Sequence, residues 1–321
     1  MGGGSWSNHL YNTSTKIRSA AGLDDFGYDT EVKSGRASGI HETLDPSKMT
    51  GPRESRDSDE HPESLPVAVI FDVTGSMHQI PKTLQTKLAS IMDVVIEKAE
   101  VPHPQILVGA VGDSTCDRYP LQIGQFESDN RFDDQLRNII LERGGGGQDM
   151  ESYALAYYFA AYHTESDSID KRGKRGYLFT MGDEKPWPTL PSAEIKKVFG
   201  DVVAEPIEET VEALIEKASE KFNIYHLFSL DGSYSHSTEI HDRWRELLGE
   251  RLIMVEDSSL IAEIISGVIH MQESAYDIDR VIDDIGVTGD ARKAVENALV
   301  PLAGSNLTTS GTGTLPEAHG A

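Results

Sequence analysis

Val67-Ala68-Val69-Ile70-Phe71 runs straight into Asp72-Val73-Thr74-Gly75-Ser76-Met77. Five apolar residues, three of them β-branched, read as a buried strand. The six that follow put one carboxylate and two hydroxyls on a tight turn. Beyond it Ile80, Leu84, Leu88, Ile91, Met92 and Val95 recur at helical spacing, and Pro81 sits near the helix start, where a missing N–H does no harm. Strand, turn and helix make a βα unit. Hard divalent cations take oxygen ligands and Mg²⁺ keeps some of its waters, so an Asp with two hydroxyls suits Mg²⁺ better than Zn²⁺.

Working outward, the same alternation of apolar runs and amphipathic stretches continues, which predicts an α/β fold with a mostly parallel sheet of about six strands. Ile106–Val111 reads as a second strand, and 121–126 as a short third that pairs antiparallel with it across Asp113 to Tyr119, forming the sheet's edge. Tyr177–Met181, Ile224–Leu230 and Leu252–Val255 complete the set. Helices are predicted around Leu155, Leu214, Trp244 and Leu260–Ile269.

Four segments emerge. Residues 1–64 are rich in Gly, Ser, Asp, Glu and Arg and read as a flexible arm, with Trp6, Tyr11, Phe26 and Tyr28 as candidate anchors. The domain itself spans 65–272. Residues 273–303 have helical periodicity and read as a small extension outside it, and 304–321 as a disordered tail.

A formal net charge of -24 over 321 residues argues against nucleic acid or an anionic membrane, because phosphate binding needs clustered Lys and Arg. No apolar run approaches the ~18 residues of a membrane span, so no membrane insertion is expected, and without a secretory signal the expected location is cytoplasmic. One cysteine, Cys116, excludes an internal disulfide framework and a multi-thiolate zinc site. His226, His236 and His241 lack HExxH spacing and read as solvated or capping residues.

In a parallel α/β sheet, loops at the carboxyl ends of the strands converge on one site. Three loops here fit: Asp72 to Ser76, Gly144 to Asp149, and Gly182 to Asp183. Singly, an Asp after a strand is often only a helix cap. Together they converge.

At these residues the chain resembles the von Willebrand factor A family over roughly 65–269. That family's metal-ion-dependent adhesion site uses a DxSxS turn after the first strand, a Thr from a second loop and an Asp from a third. Asp72, Thr74 and Ser76 match the first element, with Thr in place of the first Ser. Asp183 matches the third. Counting back five from Ala154-Leu155, Asp149 occupies the Thr slot, and a further protein carboxylate there offsets more of the cation's charge; the alternative is that Asp149 or Glu151 caps its helix and meets the ion through water. Asp113 reads as a residue of a surface turn, the alternative being a supporting position behind the metal residues.

The resemblance implies a metal set of Asp72, Thr74, Ser76, Asp149 and Asp183 around Mg²⁺, or Mn²⁺ or Ca²⁺ in its place. It implies protein binding without catalysis, through a partner's carboxylate, and a MoxR-type AAA+ ATPase as the partner class. Two competitors stand beside it: a Mg²⁺-dependent phosphohydrolase with Asp72 as nucleophile, although Thr74 stands where such an enzyme carries an acid, and a structural subunit with a vestigial site. The Gly144–Gly147 run lacks the Gly-Lys-Ser/Thr ending of a phosphate loop, and no Gly-x-Ser-x-Gly elbow surrounds Ser76.

Overall fold

The computed structural model describes residues 4–77, 80, 82–83, 87, 91–92, 95–96, 101, 103–142, 149–274 and 276–306. Its centre is a six-stranded sheet of β1 (Leu65–Asp72), β2 (Pro104–Val111), β3 (Leu121–Ile123), β4 (Gly176–Gly182), β5 (Phe222–Ser229) and β6 (Leu252–Val255). The order across the sheet is β6-β5-β4-β1-β2-β3. All neighbours are parallel except β3, which runs antiparallel to β2 at the edge. The α/β class and all six strands lie where the apolar runs put them, with β3 stopping at Ile123 instead of continuing to Phe126.

Period-two geometry gives each strand two buried faces. Val67, Val69 and Phe71 of β1 face one helical layer, which includes Ile91, Met92 and Val95 and the helix Ile261–Glu273. Ala68 and Ile70 face the other, built from the helices Tyr153–Tyr162, Ser192–Phe199, Val211–Ala218 and Thr238–Leu248. The described residues between 80 and 96 are helical, as the periodicity predicts, whereas Leu84 and Leu88 lie outside the described residues.

The connections position the site. From β1 the chain runs to β2 and β3 on one side, then crosses back to β4 on the other side of β1. The carboxyl ends of β1 and β4 therefore flank the point where the strand order reverses, where an open α/β sheet offers a crevice.

Both flanking segments join this body. Residues 8–20 and 27–33 form helices, Phe26 is 1% exposed within the main core, and Trp6 packs edge-on against Phe132. Ser7 and Asn130 exchange hydrogen bonds of 3.0 and 3.1 Å, and Arg18 pairs with Asp133 at 2.8 Å. Composition hides this docking because specific polar bonds and a few aromatic anchors do what a continuous apolar face does elsewhere. At the other end, the helices Ile278–Ile285 and Gly289–Asn306 place Val281, Ile282, Val295 and Leu299 in the same core cluster as the sheet, against the Ile261–Glu273 helix.

Candidate metal centre

Asp72 ends β1 and is wholly buried. Its Oδ1 accepts both the Thr74 backbone N–H at 2.7 Å and the Thr74 hydroxyl at 2.6 Å, an Asx turn that fixes the carboxylate over the strand end. Oδ2 accepts the Tyr153 phenol at 3.3 Å. Ser76 lies in the short 3₁₀ turn Gly75–Met77, and its side chain is outside the described residues, as is the Gly144–Gly147 run.

The second and third loops are stitched together by a two-residue parallel ribbon, Met150–Glu151 against Lys185–Pro186. Lys185 N–H donates to the Asp149 carbonyl at 3.1 Å and Trp187 N–H to that of Glu151 at 3.2 Å. This ribbon decides which acids turn inward. Asp72, Glu151 and Glu184, all buried, bring one carboxylate oxygen each to within 4.8 Å of one another. Asp149 is not part of that group and pairs with Lys185 Nζ at 3.2 Å. Asp183 is also fully buried and close enough for its charge to raise the Asp72 pKa, while its Oδ2 accepts the Tyr234 N–H at 3.0 Å across a gap in which Gly232 leaves no room for a Cβ.

The sequence-predicted residues thus fall into three groups. Asp72, Thr74 and Asp183 gather at the crevice, Asp149 faces Lys185, and the Ser76 side chain is undescribed. The two acids that complete the cluster, Glu151 and Glu184, are neighbours in sequence of those singled out. No local signal singles out Glu184: it directly follows Asp183, both are buried, and the adjacent Lys185 pairs with Asp149 and Glu239.

Asp113, read as a surface-turn residue, is 2% exposed. It caps its own turn through Thr115 and accepts Trp187 Nε1–H at 3.3 Å, tying the loop after β2 to the loop after β4. His226, read as solvated or capping, is fully buried instead: it stacks on Trp244 with ring centroids 3.6 Å apart, and its Nδ1 lies 2.9 Å from the Thr180 hydroxyl. Burial pushes its pKa well below the ordinary histidine value, so it stays neutral. Trp244 in turn donates to the Glu184 carbonyl at 2.9 Å, so this aromatic pair backs the acidic loop.

Electrostatics mark the cluster. Loss of water, joined by the Asp183 charge, pushes Asp72 up to about 7 despite the opposing hydrogen bonds from Thr74 and Tyr153. Glu184 rises to about 9 from burial and then from the charges of Asp72 and Asp183. Glu151 is raised well above the usual carboxylate range, first by burial and then by Asp72. Among the described residues no Lys or Arg pairs with Asp72, Glu151 or Glu184.

These residues fit a divalent cation. Oxygens bound to one Mg²⁺ at ~2.1 Å lie about 3 Å apart when adjacent and about 4 Å when opposite, and around Ca²⁺ the spread reaches ~4.8 Å. The Asp72, Glu151 and Glu184 donors fall inside that envelope, and all are hard oxygens.

No protein-family model matches the chain, and no curated protein matches it in sequence. Among solved structures it is similar to proximal thread matrix protein 1 from the mussel byssus, with a TM-score of 0.43 and 10% identity over 64% of this chain and 47% of that one. A form of the same protein described with a zinc-occupied MIDAS motif gives 0.41 and 12% over 66% and 48%. The open conformation of the pilus adhesin SpaC from Lactobacillus rhamnosus GG gives 0.42 and 9% over 71% and 31%. The chain spans about half the length or less of these structures. No helix among the described residues is long and apolar enough to cross a membrane.

Proposed function

We propose that this chain is a divalent-cation-dependent protein-binding module of the von Willebrand factor A type, acting without catalysis. One observation carries the proposal: three buried carboxylates from three separate loops converge within 4.8 Å with no basic side chain among the described residues to neutralise them. Burying such a group of anions costs several kcal/mol unless protons or a metal ion offset the charge. In this reading Asp72, Glu151 and Glu184 supply carboxylate oxygens, Thr74 and Ser76 supply hydroxyls, and Asp183 adds adjacent negative charge. Asp149, by pairing with Lys185, holds that ammonium on itself.

The ion is Mg²⁺ or a cation of similar hardness, and when bound it ties the loops after β1, β3 and β4 into one surface. Glu184, at 6% the least deeply buried of the three, supports a reading in which a partner's oxygen approaches from its side. The partner class that the resemblance implies, a MoxR-type AAA+ ATPase, rests on the resemblance alone. The phosphohydrolase reading draws nothing from the geometry, since three acceptor positions of Asp72 are held by Thr74 and Tyr153.

Calorimetric titration with Mg²⁺ and Mn²⁺ tests the site, and Asp72→Asn and Glu184→Gln should each weaken binding at least tenfold. A purified candidate partner should then bind wild-type chain only with the cation present. Saturable cation binding with partner binding indifferent to chelator would refute the bridging role; absence of cation binding would refute the site.

A further inference from the structure

At the opposite end of β1 from the acidic cluster, two histidines meet. Leu65 opens β1 in register with Pro104, the first residue of β2, and the Leu65 N–H donates to the His103 carbonyl at 3.0 Å. The segments just before the two strands are therefore neighbours. His61 is fixed there by a closed turn: its N–H donates to the Ser58 carbonyl at 3.1 Å and to the Ser58 hydroxyl at 3.0 Å, and the Ser58 N–H donates to the His61 carbonyl at 3.0 Å. The imidazoles of His61 and His103 lie edge to face with centroids 5.6 Å apart.

His61 Nε2 lies 2.9 Å from the Gly4 carbonyl, which also accepts the Ser128 hydroxyl at 2.7 Å. A carbonyl only accepts, so Nε2 carries the proton, and in the neutral ring Nδ1 is left with a bare lone pair. That Nδ1 is buried without a hydrogen-bond partner, in a residue 6% exposed, and the Nδ1 of His103 is buried without one as well. Burial, followed by the charge of His61, lowers the His103 pKa against an opposing pull from Glu63, so this ring also is neutral at pH 7. One ring N–H held by a backbone carbonyl while the other nitrogen stays open is how a metal-binding histidine is set. Two imidazoles bound through nitrogen to one Zn²⁺ at ~2.0–2.1 Å have their centres about 5.1–5.6 Å apart at angles between tetrahedral and trigonal. The observed separation fits that span.

We infer a second metal site at this end of the sheet, in which His61 and His103 hold a transition-metal ion of the Zn²⁺, Co²⁺ or Ni²⁺ class through Nδ1 and the exposed Glu63 adds an oxygen from the rim. Imidazole suits these ions and not Mg²⁺, so the two ends of β1 take different metals. The inference stands on its own observations and does not depend on the acidic cluster.

Equilibrium dialysis against Zn²⁺ with Mg²⁺ in excess tests it, using the full-length Asp72→Asn chain so that the acidic cluster contributes little. One Zn²⁺ per chain should bind. Adding His61→Gln or His103→Gln should weaken that binding by about a hundredfold, with metal-free thermal unfolding as the check on folding. An Asp72→Asn chain that takes up no Zn²⁺, or histidine variants that bind it as tightly as their parent, would overturn the site. If neither histidine variant folds, nitrogen chemical shifts of the Asp72→Asn chain with and without Zn²⁺ decide: the Nδ1 signals of His61 and His103 move together if the site exists and stay in place if it does not.

Discussion

Two groups of buried or half-buried acids in this molecule show opposite electrostatics. Near the start of β1, Asp57 accepts a two-pronged pair from Arg172 at 2.8 and 3.1 Å, with Lys171 at 3.2 Å and two bonds from Ser64. Asp167 beside it is held by Arg56 and Lys171. Although burial opposes ionisation at both, these bonds keep Asp57 and Asp167 below the usual carboxylate range. At the far end of the same strand, Asp72, Glu151 and Glu184 gather within 4.8 Å and all are pushed up. The first group carries its counter-charges in the chain. The second has none among the described residues, and that asymmetry within one protein is the argument that its counter-charge comes from outside.

The largest expected effect tests that asymmetry directly. Saturating Mg²⁺ or Mn²⁺, at a hundred times the dissociation constant, stabilises a chain that binds only when folded by about 2.7 kcal/mol. For a protein of this size the melting temperature should rise by about 4 °C. Scanning fluorimetry at pH 8 with and without chelator measures it. A flat response would place the acidic group in the same class as Asp57, neutralised from within.

The next effect is its dependence on pH. Asp72 and Glu184 have folded-state values above those of the unfolded chain, so the folded state retains protons that the unfolded state has released. Without added cation, the site's contribution to stability is greatest below about pH 4 and is lost as pH climbs through about 7 and then about 9. Cation binding displaces those protons. The gain in melting temperature from Mn²⁺ should therefore be larger at pH 8 than at pH 6, and calorimetry in buffers of different ionisation enthalpy should register proton release. In Asp72→Asn with Glu184→Gln, the alkaline decline should flatten.

Asp57 supplies the control of opposite sign. Asp57→Asn should cost about 2 kcal/mol at pH 7, read by urea denaturation, because Arg172 and Lys171 lose their anion. The Asp57 pKa is depressed on folding, so its stabilisation is present above about pH 4 and lost as pH falls toward the folded value. The gap between variant and wild type should narrow in acid, and the variant's response to Mn²⁺ should be unchanged. A reduced response would mean that the two acidic groups are coupled through β1.

Much of this arrangement is written locally. Strand runs such as Val67–Phe71 and Tyr177–Met181 are continuous apolar stretches because both faces of the sheet are covered, and that pattern is visible in sequence. The Asx turn at Asp72 and Thr74 is equally local. Which acids join Asp72 is not: Glu151 and Glu184 are brought to it by a ribbon between Met150–Glu151 and Lys185–Pro186, two pieces of chain more than thirty positions apart. A shift of that pairing by one residue would exchange Glu151 for its neighbours at the crevice. His226 misled for a related reason, since its cover, Trp244, arrives from a helix after the strand.

The smallest effect sharpens the comparison at its boundary. Lys185 is the basic side chain closest in sequence to the inward acids, and its ammonium is spent on Asp149 at 3.2 Å and Glu239 at 2.6 Å, on the outer side of the ribbon. Lys185→Met keeps the backbone bonds and the buried stem while removing the charge. Losing a pair of partly exposed ion pairs should cost no more than about 1 kcal/mol. Removing a positive charge near the crevice should also tighten Mn²⁺ binding, by about two- to threefold at low salt and less as salt screens it. Calorimetry at two ionic strengths resolves both. A large loss of cation affinity would instead show that Lys185 holds the ribbon, and with it Glu151 and Glu184, through its side chain as well as its backbone.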